Sequence, residues 1–117
     1  MKINILKEKS YKFALRMVKL SQYLSNEKKE FVLSKQILRS GTSVGANVEE
    51  AYQAESKADF IHKLAIANKE AFETHYWLRL LRDSGFLEEK LADSLLLDCD
   101  ELQRILISSI KTAKGRK

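Results

Sequence analysis

The stretch that decides the fold is residues 39–51, which read RSGTSVGANVEEA. It places Gly41 and Gly45 four residues apart inside what otherwise reads as a long amphipathic helix. A glycine in a helix interior is less favourable than an alanine by roughly 1 kcal/mol. The chain has no proline and only four glycines, so this pair needs a structural reason. The close approach of a second helix is the reason that the spacing favours.

The helix that contains these glycines is predicted to begin near Leu33 or Ser34 and to end near Glu55. Its apolar positions recur at helical spacing, which is typical of a helix with one buried face. They are Leu33, Ile37, Gly41, Val44, Val48 and Ala51. Both glycines therefore lie on or beside the buried face.

Three further helices are predicted from the same kind of stripe, at about residues 7–25, 57–84 and 88–114. Ser56 and Asp59 have the spacing of a capping box, which predicts the start of the third helix. Gly85 is predicted to end that helix in the left-handed conformation. No segment has the pattern of a strand. The sequence therefore predicts one all-α domain, residues 1–117, folded as an up-down-up-down antiparallel four-helix bundle.

The sequence leaves two candidates for the helix that packs against the glycine pair. If the second and third helices pair about the turn at Ser56, Gly45 lies opposite Ala67 and Asn68, and Gly41 lies opposite Ala71. Small residues would then meet small residues, which lets two helix axes approach closely. Alternatively, the glycines face a neighbouring subunit. Both interpretations assign the pair to packing and not to chemistry.

Composition limits the class of protein. The 117 residues are 44% hydrophobic and 32% charged, as in a folded globular domain. Cys99 is the single cysteine, so no intrachain disulfide can form, and no apolar run is long enough for a signal peptide or a membrane span. We therefore expect a cytoplasmic protein without a membrane partner. The net charge is +5, and residues 1–24 carry six basic residues against one acid, which weakly favours a polyanionic partner.

The Arg39–Ala51 stretch, followed by Ser56–Phe60 and Leu64–Ala67, resembles a known bacterial group. These are four-helix bundle proteins encoded by intervening sequences of 23S ribosomal RNA genes. The Ser-x-x-x-Asn-x-x-Glu core of that family matches Ser43, Asn47 and Glu50, and the later acid of its third helix matches Glu73.

The resemblance implies a small all-α protein that forms a homopentameric ring. Most members have no assigned activity. A related branch, the accessory proteins of diversity-generating retroelements, associates with a reverse transcriptase and with nucleic acid. The resemblance offers no catalytic residues and no cofactor.

Catalytic and metal sites find little support in the residues. Asn47 and Glu50 share a helical face and are most simply a polar pair that fixes helix register, with Asn68 or His75 as partners. A di-iron bundle site requires two Glu-x-x-His motifs, which this chain lacks. Ser43 has no strand before it to form a nucleophile elbow. Cys99, on an apolar stripe, reads as a core residue.

Two surfaces are candidates for binding. One is basic, because in an antiparallel bundle the two chain termini meet at the same end, and it would contact phosphate without sequence preference. Its residues are Lys2, Lys7, Lys9, Lys12, Lys57, Lys111, Lys114, Arg116 and Lys117. The other is apolar and exceeds what a bundle core needs, which is typical of an oligomer interface. Its residues are Phe72, Tyr76, Trp77, Leu80, Leu96 and Ile107.

The hypothesis that follows is a non-enzymatic, self-associating protein that binds RNA or DNA through its basic surface. The alternative is a protein-binding scaffold with no role at nucleic acid. The two differ in a single expectation, which is salt-sensitive binding to a polyanion.

Overall fold

The structure, a computed structural model, describes residues 4–115 and places four helices in them. These are α1 (Ile5–Asn26), α2 (Leu33–Ala51), α3 (Lys57–Asp83) and α4 (Glu89–Ala113). No strand occurs between residues 4 and 115, so the all-α prediction is confirmed. None of these helices combines the length and the apolar character that a membrane crossing requires.

Side chains near the helix starts bind the free amides of the first turn. The Ser56 hydroxyl accepts a hydrogen bond from the Asp59 amide at 3.0 Å, which confirms the start predicted for α3. The Asn4 side chain caps α1 by accepting from the Lys7 amide at 3.0 Å. Glu30 does the same for α2 and accepts from the Ser34 amide at 2.8 Å. A carboxylate there also complements the helix dipole.

The end of α3 is fixed by a glycine. Gly85 has φ +86°, a backbone conformation that L side chains rarely adopt. The Gly85 amide donates to the Arg82 carbonyl at 3.2 Å, and the Phe86 amide donates to the Leu81 carbonyl at 3.0 Å. This pair of bonds is a Schellman motif. The predicted left-handed stop at Gly85 is confirmed.

The second helix ends four residues earlier than predicted, at Ala51 and not near Glu55. After Ala51 the bonds tighten to three-residue turns, with Gln53 donating to the Glu50 carbonyl and Ala54 to the Ala51 carbonyl. The chain needs these residues to reverse direction before Ser56 begins α3. Helical periodicity alone does not reveal that requirement.

One continuous core lies between the helices. Its largest fully buried side chains come from all four of them, and include Phe13, Met17, Leu24, Ile37, Leu64, Leu78, Leu81, Leu95, Leu102 and Leu106. On α4 the stripe is displaced at its start, because Ala92 is buried and Leu91 is 40% exposed. The helical spacing of Leu91, Leu95 and Cys99 predicts all three as core residues, and for Leu91 this prediction is wrong.

The helices contact one another in chain order. Contacts join α1 to α2, α2 to α3 and α3 to α4, with a thinner contact between α1 and α4, and within residues 4–115 the backbones of α1 and α3 are not neighbours. Across each contact the residue numbers run in opposite directions. On the α2–α3 contact, for example, Glu50 bonds Lys63 and Ser40 bonds Thr74.

The glycine pair packs against α1, so the predicted pairing with Ala67, Asn68 and Ala71 of α3 is wrong. A Cβ atom added to Gly41 would lie 2.3 Å from Met17 Cγ. One added to Gly45 would lie 3.2 Å from the Ser10 carbonyl oxygen. The physical reason proposed for the glycines, a close helix contact, is correct, but the helix that supplies the contact is the first and not the third.

Candidate functional site

The motif residues of α2 are bound to their own helix. The Ser43 hydroxyl donates to the Arg39 carbonyl at 2.6 Å, and the Asn47 amide nitrogen donates to the Ser43 carbonyl at 2.9 Å. Thr42 likewise donates to the Leu38 carbonyl at 2.7 Å. Such bonds hold the side chains along the helix surface. The Ser43 hydroxyl proton is therefore already engaged.

The acids of the motif join α2 to α3. Glu73 accepts hydrogen bonds from the Arg39 guanidinium and, at 2.9 Å, from the Trp77 indole nitrogen. Arg39 also reaches Glu70 at 3.3 Å. At the other end of the contact, Lys63 donates to Glu50 at 2.9 Å, and this bond raises the pKa of Lys63. Glu73 and Glu50 thus act as links between two helices.

The predicted polar pair of Asn47 and Glu50 does not form with Asn68 or His75. Asn47 bonds its own helix and Glu50 bonds Lys63, as described above. His75 instead meets α4, where its Nε2 atom lies 3.0 Å from Asp100. The Oδ1 atom of Asn68 is buried and has no hydrogen-bond partner among the described residues. A buried acceptor without a partner lowers the stability of the folded state.

The basic residues divide into two groups. Three of the lysines on α1 are paired with carboxylates: Lys7 with Glu49 at 3.4 Å, Lys9 with Glu101 at 3.3 Å, and Lys12 with Glu8 at 3.4 Å. Sequence reasoning missed these partners because two of them come from other helices. The pairs reduce the positive charge that α1 offers to a polyanion.

The other described lysines of this set are free. Lys57, Lys111 and Lys114 are exposed, and none of them pairs with a carboxylate within residues 4–115. We name these three the basic end. The predicted residues Lys2, Arg116 and Lys117 lie outside the described residues.

Four of the six predicted interface residues form an exposed apolar surface on α3 and α4. Phe72 is 59% exposed and Tyr76 is 50% exposed, with Leu80 and Ile107 beside them at 36% and 40%. We name these four the outer apolar face. Phe72 and Ile107 line an open pocket of about 510 Å³ whose polar side chains are His75, Arg79, Asp100, Gln103 and Arg104. The Arg79 guanidinium lies 5.8 Å from the centre of the Tyr76 ring.

The other two predicted interface residues are placed differently. Leu96 is only 8% exposed and belongs to the core, so its assignment to an exposed interface is wrong. In α4 both Leu95 and Leu96 face the core. The run of three leucines at residues 95–97 does not show which of them are buried. Trp77 is half-buried against the core and stacks edge-on to Tyr76 with ring centroids 5.1 Å apart. Trp77 therefore contacts both the core and Tyr76 of the outer apolar face.

A second exposed apolar surface lies on α1, and sequence reasoning missed it. Tyr11 is 62% exposed, Leu15 is 49% exposed and Val18 is 38% exposed. We name these three the α1 ridge. The sequence does contain a pattern that indicates this surface, because the three residues recur at the i, i+4 and i+7 positions, outside the core stripe of the same helix. The core stripe that includes Met17 and Leu20 predicts the neighbouring Val18 on the buried side of α1, and that prediction is wrong.

The single cysteine of the chain is buried. The Cys99 thiol is buried and lies 3.3 Å from the Ala71 carbonyl, and burial raises its pKa to about 12. A thiol with that pKa is protonated and unreactive near neutral pH. Within residues 4–115 no group of three His, Cys, Asp or Glu side chains is arranged to hold a metal ion. The surface features that are suited to binding include the outer apolar face, the α1 ridge and the free lysines of the basic end.

Comparison with known proteins identifies the chain's relatives. Residues 2–108 match the sequence model of a family described as 23S rRNA-intervening sequence protein. The chain is also similar to a crystal structure of a protein of unknown function from the S23 ribosomal protein family of Bacteroides thetaiotaomicron. That similarity has 55% sequence identity and a TM-score of 0.91, over 92% of this chain and 99% of that one. No curated protein matches the chain.

Proposed function

We propose a molecular role for this chain from the premise that it belongs to the family of 23S rRNA-intervening sequence proteins, a family without an assigned activity. The role is non-enzymatic: the protein self-associates and presents a repeated binding surface. The single observation that carries the proposal is the outer apolar face, where Phe72 and Tyr76 keep half or more of their surface in solvent. Exposed apolar patches of this kind mark interaction sites.

The architecture behind this role is one domain in which four helices run up, down, up and down. The opposed residue numbering across each helix contact, such as Lys7 with Glu49 and Arg82 with Asp93, supports it. The family resemblance supports assembly as a homopentameric ring. We place the protein in the cytoplasm, in keeping with its single, unpaired Cys99.

Light scattering at micromolar concentration tests self-association. We expect a mass of five times the 13.5 kDa of one chain. A variant in which Phe72 is replaced by glutamate should have a lower mass, because the charge cannot be desolvated in an apolar contact. The matched control is Phe31→Glu, since Phe31 is 55% exposed in the loop between α1 and α2. A monomeric wild-type protein at this concentration would refute the proposal.

A second role, binding to RNA or DNA, is favoured by the free lysines of the basic end. In a ring these three residues would recur in every subunit and form a polycationic surface for phosphate groups. A reverse transcriptase would then be a partner only by family resemblance, since no described residue points to one. Without nucleic-acid binding, the self-associating protein would be a scaffold for protein partners alone.

A salt titration tests this second role. Binding to a short RNA or DNA duplex should weaken steeply as salt rises, with a smaller slope in the triple variant Lys57→Gln, Lys111→Gln, Lys114→Gln. The charge-matched control is Lys28→Gln, Lys29→Gln, Lys35→Gln, whose lysines lie at or before the start of α2. No binding at low salt would contradict the role, and so would equal slopes for the two triple variants.

A further inference from the structure

A groove of about 300 Å³ lies between α1 and α4, the two helices with the thinnest contact in the part of the chain that the structure describes. Its lining residues on α1 have i, i+3, i+4 and i+7 spacing and therefore share one helix face. The lining consists of Arg16, Lys19, Leu20 and Tyr23 of α1 and Leu91 and Leu95 of α4. None of them belongs to the α1 ridge, the outer apolar face or the basic end, so what occupies the groove is a question apart from the proposed function.

The floor of the groove is apolar. Leu20 and Leu95 are buried, whereas Leu91 and Tyr23 are partly exposed and stand at the open sides. A concave site of about 300 Å³ with a mostly apolar lining and a few polar groups has the size and character of a small-molecule site. The exposure of Leu91, which its helical spacing does not predict, follows from its position at the edge of this groove.

The rim of the groove is positively charged. Arg16 donates to Asp98 at 2.6 Å and to Ser94 at 3.2 Å, so its side chain is fixed in place and its charge is balanced. Lys19 is exposed and pairs with no carboxylate among residues 4–115. A lysine without a counter-charge beside an apolar floor complements a ligand that has an apolar body and one negative charge.

The polar and apolar parts of the groove lie at opposite ends. Along its two sides the residue numbers run in opposite directions, since Lys9 pairs with Glu101 and Arg16 with Asp98. The Arg16 end is therefore polar, and the other end is formed by Tyr23 and Leu91. From Arg16 to Tyr23 the lining extends about 10 Å, at 1.5 Å of helix rise per residue. This shape suits an extended chain with a charge at one end.

We infer that the groove is a binding site for an unbranched carboxylate of medium chain length, such as octanoate. The carboxylate accepts a hydrogen bond from the Lys19 ammonium and lies beside Arg16. The alkyl chain lies over Leu20 and Leu95 and ends between Tyr23 and Leu91. The site is complete within one subunit and does not depend on self-association.

Equilibrium dialysis of the wild-type protein against radiolabelled octanoate tests this inference. We expect saturable binding with a Kd on the order of 0.1–1 mM, as is typical of a small ligand in an open site. From hexanoate to octanoate, the Kd should fall by about two- to fourfold for each methylene group added, because each group leaves water for the apolar floor. Absence of saturable octanoate binding in this range would overturn the inference, and so would a Kd that does not change with chain length.

The head group is tested with two competitors of the same chain length. Octanol lacks the charge and octylammonium has the opposite charge, so both should displace labelled octanoate less effectively than unlabelled octanoate does. Equal displacement by octanol or by octylammonium would show that Lys19 does not select an anion, and would contradict the inference.

A substitution that fills the groove tests its location. Leu91→Trp places a larger side chain at the partly exposed wall, so it should reduce octanoate binding at least tenfold without lowering the unfolding midpoint. The matched control is Leu97→Trp, because Leu97 is an exposed leucine of the same helix that does not line the groove. Equal octanoate binding by the two tryptophan variants would overturn the assignment to this groove.

A charge reversal gives a second test that leaves the apolar lining intact. Lys19→Glu should weaken octanoate binding by about five- to tenfold, since an attraction at an exposed site becomes a repulsion. Its effect on octanol should be small. The control is Lys69→Glu, whose lysine is exposed on α3, away from the groove. An equal loss of octanoate binding in the two lysine variants would indicate a general effect of net charge and would contradict a role for Lys19.

Discussion

In the motif of α2 the polar side chains are bound within the subunit, whereas on the outer apolar face the large side chains remain in solvent. Ser43 and Asn47 bond their own helix, and Glu73 bonds Arg39 and Trp77. Phe72 and Tyr76 are half exposed or more. The segment that resembles the family motif is therefore bound up in the packing of the subunit, and the exposed apolar surface lies elsewhere.

The two sides of α1 differ in how closely they pack against the neighbouring helices. Towards α2 the glycines bring the helices so close that an added Cβ would overlap Met17. Towards α4 there is an open pocket of about 300 Å³ lined in part by Leu20, Tyr23 and Leu91, and the contact is bridged by Arg16 to Asp98 at 2.6 Å. The glycines of α2 permit close packing of the α1 and α2 backbones. The α1–α4 contact has larger side chains and a gap, which the pair of Arg16 and Asp98 spans.

The largest expected effect comes from Gly45→Leu. The new side chain would meet the Ser10 main chain, which cannot move without shifting α1, so we expect a loss of about 3 kcal/mol in the free energy of unfolding. Urea denaturation followed by circular dichroism measures it. The control Ala46→Leu adds the same side chain at an exposed neighbouring position and should change stability by about 0.5 kcal/mol or less. An unchanged melting temperature and mass for Gly45→Leu would show that the contact is not close.

A double-mutant cycle between Gly41 and Met17 tests the same contact between α1 and α2. Gly41→Ala alone should destabilise the protein by about 1–2 kcal/mol, because its Cβ would overlap Met17 Cγ. In a Met17→Ala background the overlap is gone, and the higher helix propensity of alanine should make Gly41→Ala stabilising by up to about 1 kcal/mol. Additive effects of the two substitutions, measured by urea denaturation, would refute the contact.

Glu73→Ala should have a smaller effect. It removes one of the two carboxylate partners of Arg39 and leaves the Trp77 indole nitrogen without its acceptor, for an expected loss of about 1 kcal/mol. Because Trp77 is the only tryptophan, its fluorescence emission should shift as well. Glu8→Ala, which breaks the exposed pair with Lys12, is the control and should leave the emission unchanged. Unchanged stability and emission would contradict the structural role assigned to Glu73.

The reactivity of the Cys99 thiol tests whether this side chain is buried, and the measurement needs no substitution. Burial raises its pKa to about 12, so at pH 8 the folded protein should react with a thiol reagent only as it unfolds. Adding urea above the unfolding midpoint should make the reaction fast. The control is Phe31→Cys in the loop between α1 and α2, whose exposed thiol should be labelled at once, and fast labelling of native Cys99 would contradict its placement in the core.

Much of the fold could be predicted from the sequence, because its signals are local. The Ser56 cap and the Gly85 stop depend on residues within a few positions of one another, and both were placed correctly. The partner of the glycines depends on tertiary structure. In a bundle α2 has two neighbouring helices, and its own periodicity does not say whether a given face meets α1 or α3.

The candidate site was predictable only in part, for a related reason. The exposed positions of Phe72 and Tyr76 follow from an apolar face wider than a core requires. The pairing of Lys7 with Glu49 and of Lys9 with Glu101 joins residues far apart in the chain, and no local pattern reveals it. The inward turn of Leu96 depends likewise on the angle at which α4 meets its neighbours.

The central claim is that the motif of α2 builds the subunit and the outer apolar face joins subunits. The mass of Tyr76→Glu protein, measured by light scattering at a concentration where the wild type is associated, tests this most directly. The account predicts the 13.5 kDa of one chain, with the helix content and unfolding midpoint of a folded subunit. A Tyr76→Glu protein that keeps the full wild-type mass would contradict it.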